Sequence, residues 1–330
     1  MTANRFSVPI AMLLVLSLSM TSLAADPVPV GGPTGELFTF NPTISDEFNS
    51  QSIDSSKWTT SVPPSWTVGR WPSYYMPGNS QIAASSGASD GSSLTETLQK
   101  GGLPTPTPTD PTNGAYKYST GVVMSTALSG YGYYEARIET AHVKADSAFW
   151  LDSPTNSSWE EIDIIEQLGT NNYDGTGDRI KSYHVAAHST AGSAAGTDPQ
   201  EWYQTSSDLT GGYHVYGLAW TPSTITWYFD GAETYQASNT YWHDPQHIIF
   251  DLETNIPWAG TPESNLLPAA MSVDYFRMWT MTDVPEPSSL IILAMVAAWR
   301  CCRRSGNAKA RGHRLSVESL AAALPHGVGE

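Results

Sequence analysis

Cysteine is almost absent: the chain has two, Cys301 and Cys302, adjacent and close to the C-terminus. A disulfide framework therefore cannot hold the body of the chain, whose stability has to come from core packing, with or without a bound metal ion. Basic residues are also scarce, 16 Lys and Arg against 32 Asp and Glu, and none form a block in the central part. That excludes the positive footprint nucleic-acid binding needs. Charged residues make up only 15%, where roughly 25% is usual, yet 40% hydrophobic and 11% aromatic residues exclude a disordered chain. No apolar run approaches the roughly 20 residues of a membrane-spanning helix. No long stretch repeats apolar residues with a helical period, and there is no internal repeat.

The charge that is present is unevenly placed. Arg5 lies near the N-terminus, and six further basic residues, from Arg300 to Arg314, lie in the tail. Between Asp26 and Pro285, nine basic residues face 29 acids, a net charge of −20 where the whole chain has −16. Residues 1–25 place Arg5 before an apolar run from Val8 to about Leu18 and end on Ala24 and Ala25, the pattern of an export signal peptide.

In the segment that follows, short runs rich in β-branched and aromatic residues alternate with Gly, Pro, Asn and Ser. Tyr131 to Thr140, Ile162 to Ile165, Ser182 to His188, His214 to Trp220, Thr224 to Phe229, His247 to Asp251 and Met271 to Trp279 read as strands. Asp230-Gly231 between two of these runs is a hairpin turn, because Gly takes the positive φ it requires. An all-β sandwich of about 245 residues in a single domain is the consistent architecture. The Pro- and Thr-rich stretch Gly101 to Gly114 is expected to be a long, extended or mobile surface loop rather than a linker.

The chemically informative run is Trp159-Glu160-Glu161-Ile162-Asp163-Ile164-Ile165-Glu166-Gln167. On a regular strand Glu161 and Asp163 share a face and Glu166 points the other way. A β-bulge after Asp163 absorbs one residue and returns all three carboxylates to one face, with isoleucines packing behind them. Such repulsion is costly, and glycoside hydrolysis gives a reason for it: one carboxylate attacks while a second, protonated, donates a proton. On spacing alone the run also suits a solvated acidic edge strand, a calcium site or a short helix.

Glu161-Ile162-Asp163-Ile164-Ile165-Glu166 resembles the signature of glycoside hydrolase family 16 in its bulged form. Other matches extend the resemblance over nearly all of Thr39 to Thr282. They are Ser45-Asp46-Glu47-Phe48 with Lys57-Trp58, Tyr131 to Arg137, Ser147 to Leu151, Trp227 to Gly231, and Val273 to Trp279. The resemblance implies a concanavalin A-like jelly-roll β-sandwich whose concave sheet binds a polysaccharide. Glu161 is then the nucleophile, Asp163 its helper and Glu166 the acid/base. No cofactor is implied for catalysis; a structural calcium on the convex face is common in the family, with Asp274 and Glu47 as contributors.

Trp66-Thr67-Val68-Gly69-Arg70-Trp71-Pro72 resembles a segment of the family's agarases and porphyranases. By that resemblance Trp66 and Arg70 hold sugar in the glycone subsites, and Trp150 forms a platform beside the nucleophile. Pyranose C–H faces pack on indole while hydroxyls take polar partners. His184 and His188, four apart on one strand, share a face; one of them, His188 by preference, is expected to bond substrate, the alternative being a packed core histidine. Zinc is not expected there, because no third ligand stands at a characteristic spacing. Glu253 and Trp258 are assigned to the far side of the cleft.

The expected function is retaining endo-hydrolysis of β-1,4 linkages in an agarose-type algal galactan, with porphyran the first alternative and κ-carrageenan or laminarin behind it. Sulfate recognition wants Arg or Lys in the cleft, and Arg70 and Arg137 are the residues placed to supply it. The non-enzymatic alternatives are a lectin-like carbohydrate-binding module and an envelope structural protein. A monomer is expected.

After this domain, Val284-Pro285-Glu286-Pro287 leads into an apolar stretch from Leu290 to Trp299 and then Arg300 to Arg304. Segment 284–304 resembles the PEP-CTERM sorting signal of bacterial envelopes and implies transient membrane association. Residues 305–330 continue past the point where such signals usually stop, and their role is unassigned. The expected organisation is thus a signal peptide at 1–25, a catalytic domain at 26–283, a sorting segment and a tail, in a protein secreted or held at the cell envelope.

Overall fold

The computed structural model describes residues 26–32, 38–62, 68–154, 159–170, 179–191 and 198–281. The expected signal peptide, sorting segment and tail, and Trp66, lie outside the described residues.

Strands follow one another almost without helix. In chain order they are β1 (Phe38–Phe40), β2 (Trp58–Thr59), β3 (Ser73–Tyr75), β4 (Ser80–Ala84), β5 (Ser92–Lys100), β6 (Thr109–Asp110), β7 (Gly114–Ala115), β8 (Tyr118–Thr120), β9 (Val122–Ser125) and β10 (Gly132–Glu139). There follow β11 (Asp146–Asp152), β12 (Glu160–Gln167), β13 (Ser182–Ser189), β14 (Gln200–Gln204), β15 (His214–Trp220), β16 (Thr224–Phe229), β17 (Ala232–Ser238), β18 (His247–Glu253) and β19 (Ala269–Met281). A four-residue helix, α1 (Ile256–Ala259), interrupts them.

The strands form a jelly-roll sandwich, as expected. One sheet has seven strands in the order β14-β13-β12-β11-β18-β9-β2; the other has ten and is built around β10 and β19. Alternation along each strand explains the layering. On β11, Phe149 and Leu151 face the second sheet; on β18, Ile248, Phe250 and Leu252 do; on β13, Tyr183, Val185 and Ala187 do, and all are essentially buried. Phe149 stacks on Phe250 with centroids 4.6 Å apart, and both rings lie 5.9 Å from Phe276 of the opposite sheet. Burying each of these rings contributes roughly 1.5–3 kcal/mol. The residues left over by this alternation, among them Asp146, Trp150, Asp152, Asp251 and Glu253, are the ones that line the cleft on the other face.

The Asp230-Gly231 hairpin joins β16 to β17 with φ of 46° and 83°, so both turn residues are left-handed. The stretch Gly101 to Gly114 departs from a plain loop. It contains a small ribbon in which β6 pairs β7, closed by Asp110 Oδ1 accepting the N–H groups of Thr112 and Asn113 at 2.9 and 2.7 Å. An Asp followed by Pro, Thr, Asn and Gly is the turn signal that compositional reading passes over.

Candidate active site

The acidic run is β12, and it carries a bulge. Across β11, Phe149 pairs with Ile165 but the next residue, Trp150, pairs with Asp163, leaving Ile164 without a partner. Across β13, Ala186 opposes Asp163 and His184 opposes Glu166, so the extra residue falls between those two acids. A one-residue shift reverses the facing of everything beyond it. Glu161, Asp163 and Glu166 therefore line the same cleft, while Ile162, Ile164 and Ile165 are buried in the core. Glu160 faces away from them and accepts the backbone N–H groups of His243 and Asp244 at 2.8 and 2.9 Å.

The cleft has a volume of about 510 Å³. Four further carboxylates line it, Asp146 and Asp152 from β11 and Asp251 and Glu253 from β18, against one cation among the described lining residues, Arg70. Arg70 Nε lies 2.7 Å from Glu253 Oε1. Tyr75 donates its hydroxyl to Asp251 at 2.6 Å, and Trp150 Nε1 donates to the other oxygen of Asp251 at 2.8 Å. Trp159 Nε1 donates to Asp152 at 2.8 Å. Trp150 and Trp159 thus have their polar edges tied to acids while their rings line the space.

The family description "Beta-porphyranase A-D, GH16 domain" matches residues 38–281. The chain belongs to glycoside hydrolase family 16. It is 28% identical to the κ-carrageenase of Pseudoalteromonas carrageenovora over 294 residues, 82% of this chain and 72% of that protein. It is 26% identical to β-porphyranase E of Zobellia galactanivorans over 277 residues, 77% of this chain and 92% of that protein. Porphyranase B of Zobellia galactanivorans shares the fold with a TM-score of 0.64 at 21% identity, over 78% of this chain and all of that structure.

The enzyme's acids are not ordinary carboxylates. Burial, and then repulsion from Asp163 and Asp152, pushes Glu161 well above the usual range. Burial and Glu166 do the same to Asp163, and burial and Glu161 to Glu166. Glu166 has a further partner: its Oε2 lies 2.8 Å from His184 Nδ1, and His184 Nε2 lies 3.2 Å from Gln200 Oε1. Burial lowers His184 to about 4, so the ring is neutral near pH 7. With Nε2–H donating to Gln200, Nδ1 is left as an acceptor for a proton carried by Glu166, an arrangement that favours the protonated acid.

The residues expected from sequence fall into distinct places. Arg70, Trp150 and Glu253 line the cleft with the three acids. His188 stands opposite Glu161, with Nε2 3.5 Å from Asp163 Oδ2 and Nδ1 3.0 Å from Asp198. His184 is buried behind Glu166, its ring centroid 5.0 Å from that of Trp202 and 5.5 Å from that of Trp258. Trp258, on α1, therefore packs at the Glu166 end. Arg137 lies elsewhere: it is on the ten-stranded sheet, paired with buried Asp274 and set over the Tyr213 ring, so it offers nothing to a sulfate in the cleft. Asp274 and Glu47 are each engaged by an arginine, Arg137 and Arg277 respectively.

Asp146, Asp152, Asp251, Tyr75 and Trp159 were not singled out from sequence. For the first three a signal existed: Asp146 and Asp152 keep step with Trp150 on β11, and Asp251 keeps step with Glu253 on β18. Tyr75 reaches the site from a distant segment, which spacing does not reveal.

Stability should carry the mark of this buried acid cluster. Burial, and then repulsion from Asp251, raises Glu253 to about 8 from 4.5, with Arg70 opposing. A folded-state value above the unfolded one means stability that is complete below about pH 4.5 and is lost as pH rises towards 8. The melting temperature is expected to fall between pH 5 and pH 8, and Glu253→Gln to flatten that slope by up to one proton per chain. Calorimetric melting across this range checks it; a slope unchanged by the substitution would refute the assignment.

Proposed function

We propose that the enzyme is a retaining endo-hydrolase of β-1,4 linkages in an agarose-type red-algal galactan, with Glu161 as nucleophile, Asp163 as its helper and Glu166 as acid/base. The observation that carries the substrate reading is the charge of the cleft. Seven carboxylates surround one arginine, and that arginine is already paired with Glu253. A sulfate ester placed there would have to compete with Glu253 for that single guanidinium, whereas a neutral sugar can stack on indole and donate its hydroxyls to acids. The resemblance of Trp66 to Pro72 to the agarase and porphyranase segment supports a galactan over a glucan.

Porphyran is the second reading. The matched family description favours it, as does Arg179, whose guanidinium lies 3.7 Å from the Trp202 ring beside His184 and gives the Glu166 end a cation. Export, with action outside the cytoplasm and transient attachment to the envelope, is proposed from the patterns of 1–25 and 284–304.

Parallel digestion of agarose, porphyran, κ-carrageenan and laminarin tests the reading, with oligosaccharides analysed by size. Agarose is expected to yield a ladder of oligomers fastest. Release from laminarin alone would overturn the galactan assignment, and faster release from porphyran would replace agarose by the second reading.

A further inference from the structure

Along the sequence His188 lacks companions for a metal, but the sheet supplies them from the neighbouring strand. Register sets His188 opposite Glu161, and one donor atom from each of Glu161, Asp163 and His188 lies within 4.8 Å of the other two. Two further observations aim these atoms at a common point. Asp163 is 4% exposed, and its Oδ2 has no hydrogen-bond partner while facing His188 Nε2 at 3.5 Å. His188 is held from behind, with Nδ1 3.0 Å from Asp198 Oδ2 and its ring parallel within 3° to Trp159. A carboxylate on one imidazole nitrogen, turning the other towards the ion, is the usual outer support of a metal-ligating histidine.

We propose that Glu161, Asp163 and His188 form an inhibitory binding site for a divalent cation of the Zn²⁺ or Cu²⁺ kind. Two carboxylate oxygens and one imidazole nitrogen suit such ions, with the cleft side open for water as a further ligand. Calcium and magnesium disfavour this set, because they take oxygen ligands and more of them. Metal–ligand bonds of about 2.0–2.2 Å require the three donors to draw inward, which side-chain rotation supplies. The surplus of carboxylates over Arg70 attracts the ion into the cleft. Once bound, it occupies the carboxylate assigned as nucleophile, so hydrolysis stops without chemical damage and resumes when a chelator removes the metal.

The test uses the full, untagged chain carrying Cys301→Ser and Cys302→Ser, which removes its only thiols. Titration with Zn²⁺ and with Cu²⁺ by calorimetry, and electron paramagnetic resonance of the Cu²⁺ form, should show one ion per chain in this site with one nitrogen ligand. A hundredfold excess of Ca²⁺ should not displace it. His188→Asn is expected to weaken binding at least tenfold, and Asp198→Asn by about 10–100-fold. Glu161→Gln should weaken it too, read by binding rather than by turnover, while His214→Asn, remote from the cleft, leaves it unchanged. Circular dichroism confirms folding of each variant. Absence of stoichiometric binding, or binding that survives both His188→Asn and Glu161→Gln at wild-type strength, would overturn the site.

Discussion

Replacing Glu161 with Gln is expected to lower polysaccharide turnover by roughly 10⁴-fold or more, the scale seen when a covalent nucleophile is removed. Oligosaccharide binding should persist, because the amide keeps the shape of the side chain and the surrounding cleft is untouched. Glu161 stands between Asp152 on β11 and His188 on β13, on the same face as Asp163 and Glu166. In the proposed mechanism its carboxylate attacks the anomeric carbon while Glu166 serves the leaving oxygen. A Glu161→Gly variant supplied with azide should recover turnover and release a glycosyl azide of inverted configuration. Wild-type turnover in either variant would remove Glu161 from that role.

Glu166→Gln should cost about 10²–10⁴-fold, the usual worth of a positioned proton donor. The loss in kcat/KM should depend on the leaving group: large for polysaccharide, small for an aryl glycoside whose phenolate departs unprotonated. The pH profile gives a second reading. Burial first and Glu161 second hold the Glu166 proton on above the ordinary carboxylate range. As pH rises through that raised value the proton leaves, and wild-type kcat/KM should fall on the alkaline side. The variant has no such proton and should lack that alkaline limb on the aryl substrate. Equal losses on both substrates, with the limb intact, would place the acid elsewhere.

Much of this architecture could be read from residues because it rests on alternation. The strand spans expected around Gly132–Glu139, Ser182–Ser189 and His214–Trp220 agree with the structure to within a residue or two, since each carries a period-two pattern that burial enforces. The bulge at Ile164 was legible for a different reason: three acids can share one face of a strand at this spacing only if one residue is absorbed between them. What spacing could not supply was everything that arrives across strands or from afar. Asp198 behind His188, Gln200 and Trp202 behind His184, and Tyr75 beneath Asp251 are contacts of register and loop path. Arg137 shows the converse: a basic residue near the active segment in sequence can sit on the other sheet, paired with Asp274.

The same cross-strand logic gives the cleft its character. Each acid is ordinary in its own strand; β11, β12 and β18 side by side concentrate seven of them around Arg70. Burial first, and that concentration of charge second, raise Glu253 and Glu166 above the ordinary carboxylate range.

Proton NMR of agarose digestion, followed from the first minutes, tests the central claim most directly. Retaining cleavage of a β-1,4 galactan linkage predicts new reducing ends that appear as the β-anomer and only later mutarotate to α. Initial appearance of the α-anomer, or an agarose sample without new reducing ends beside laminarin that is cleaved, would contradict it.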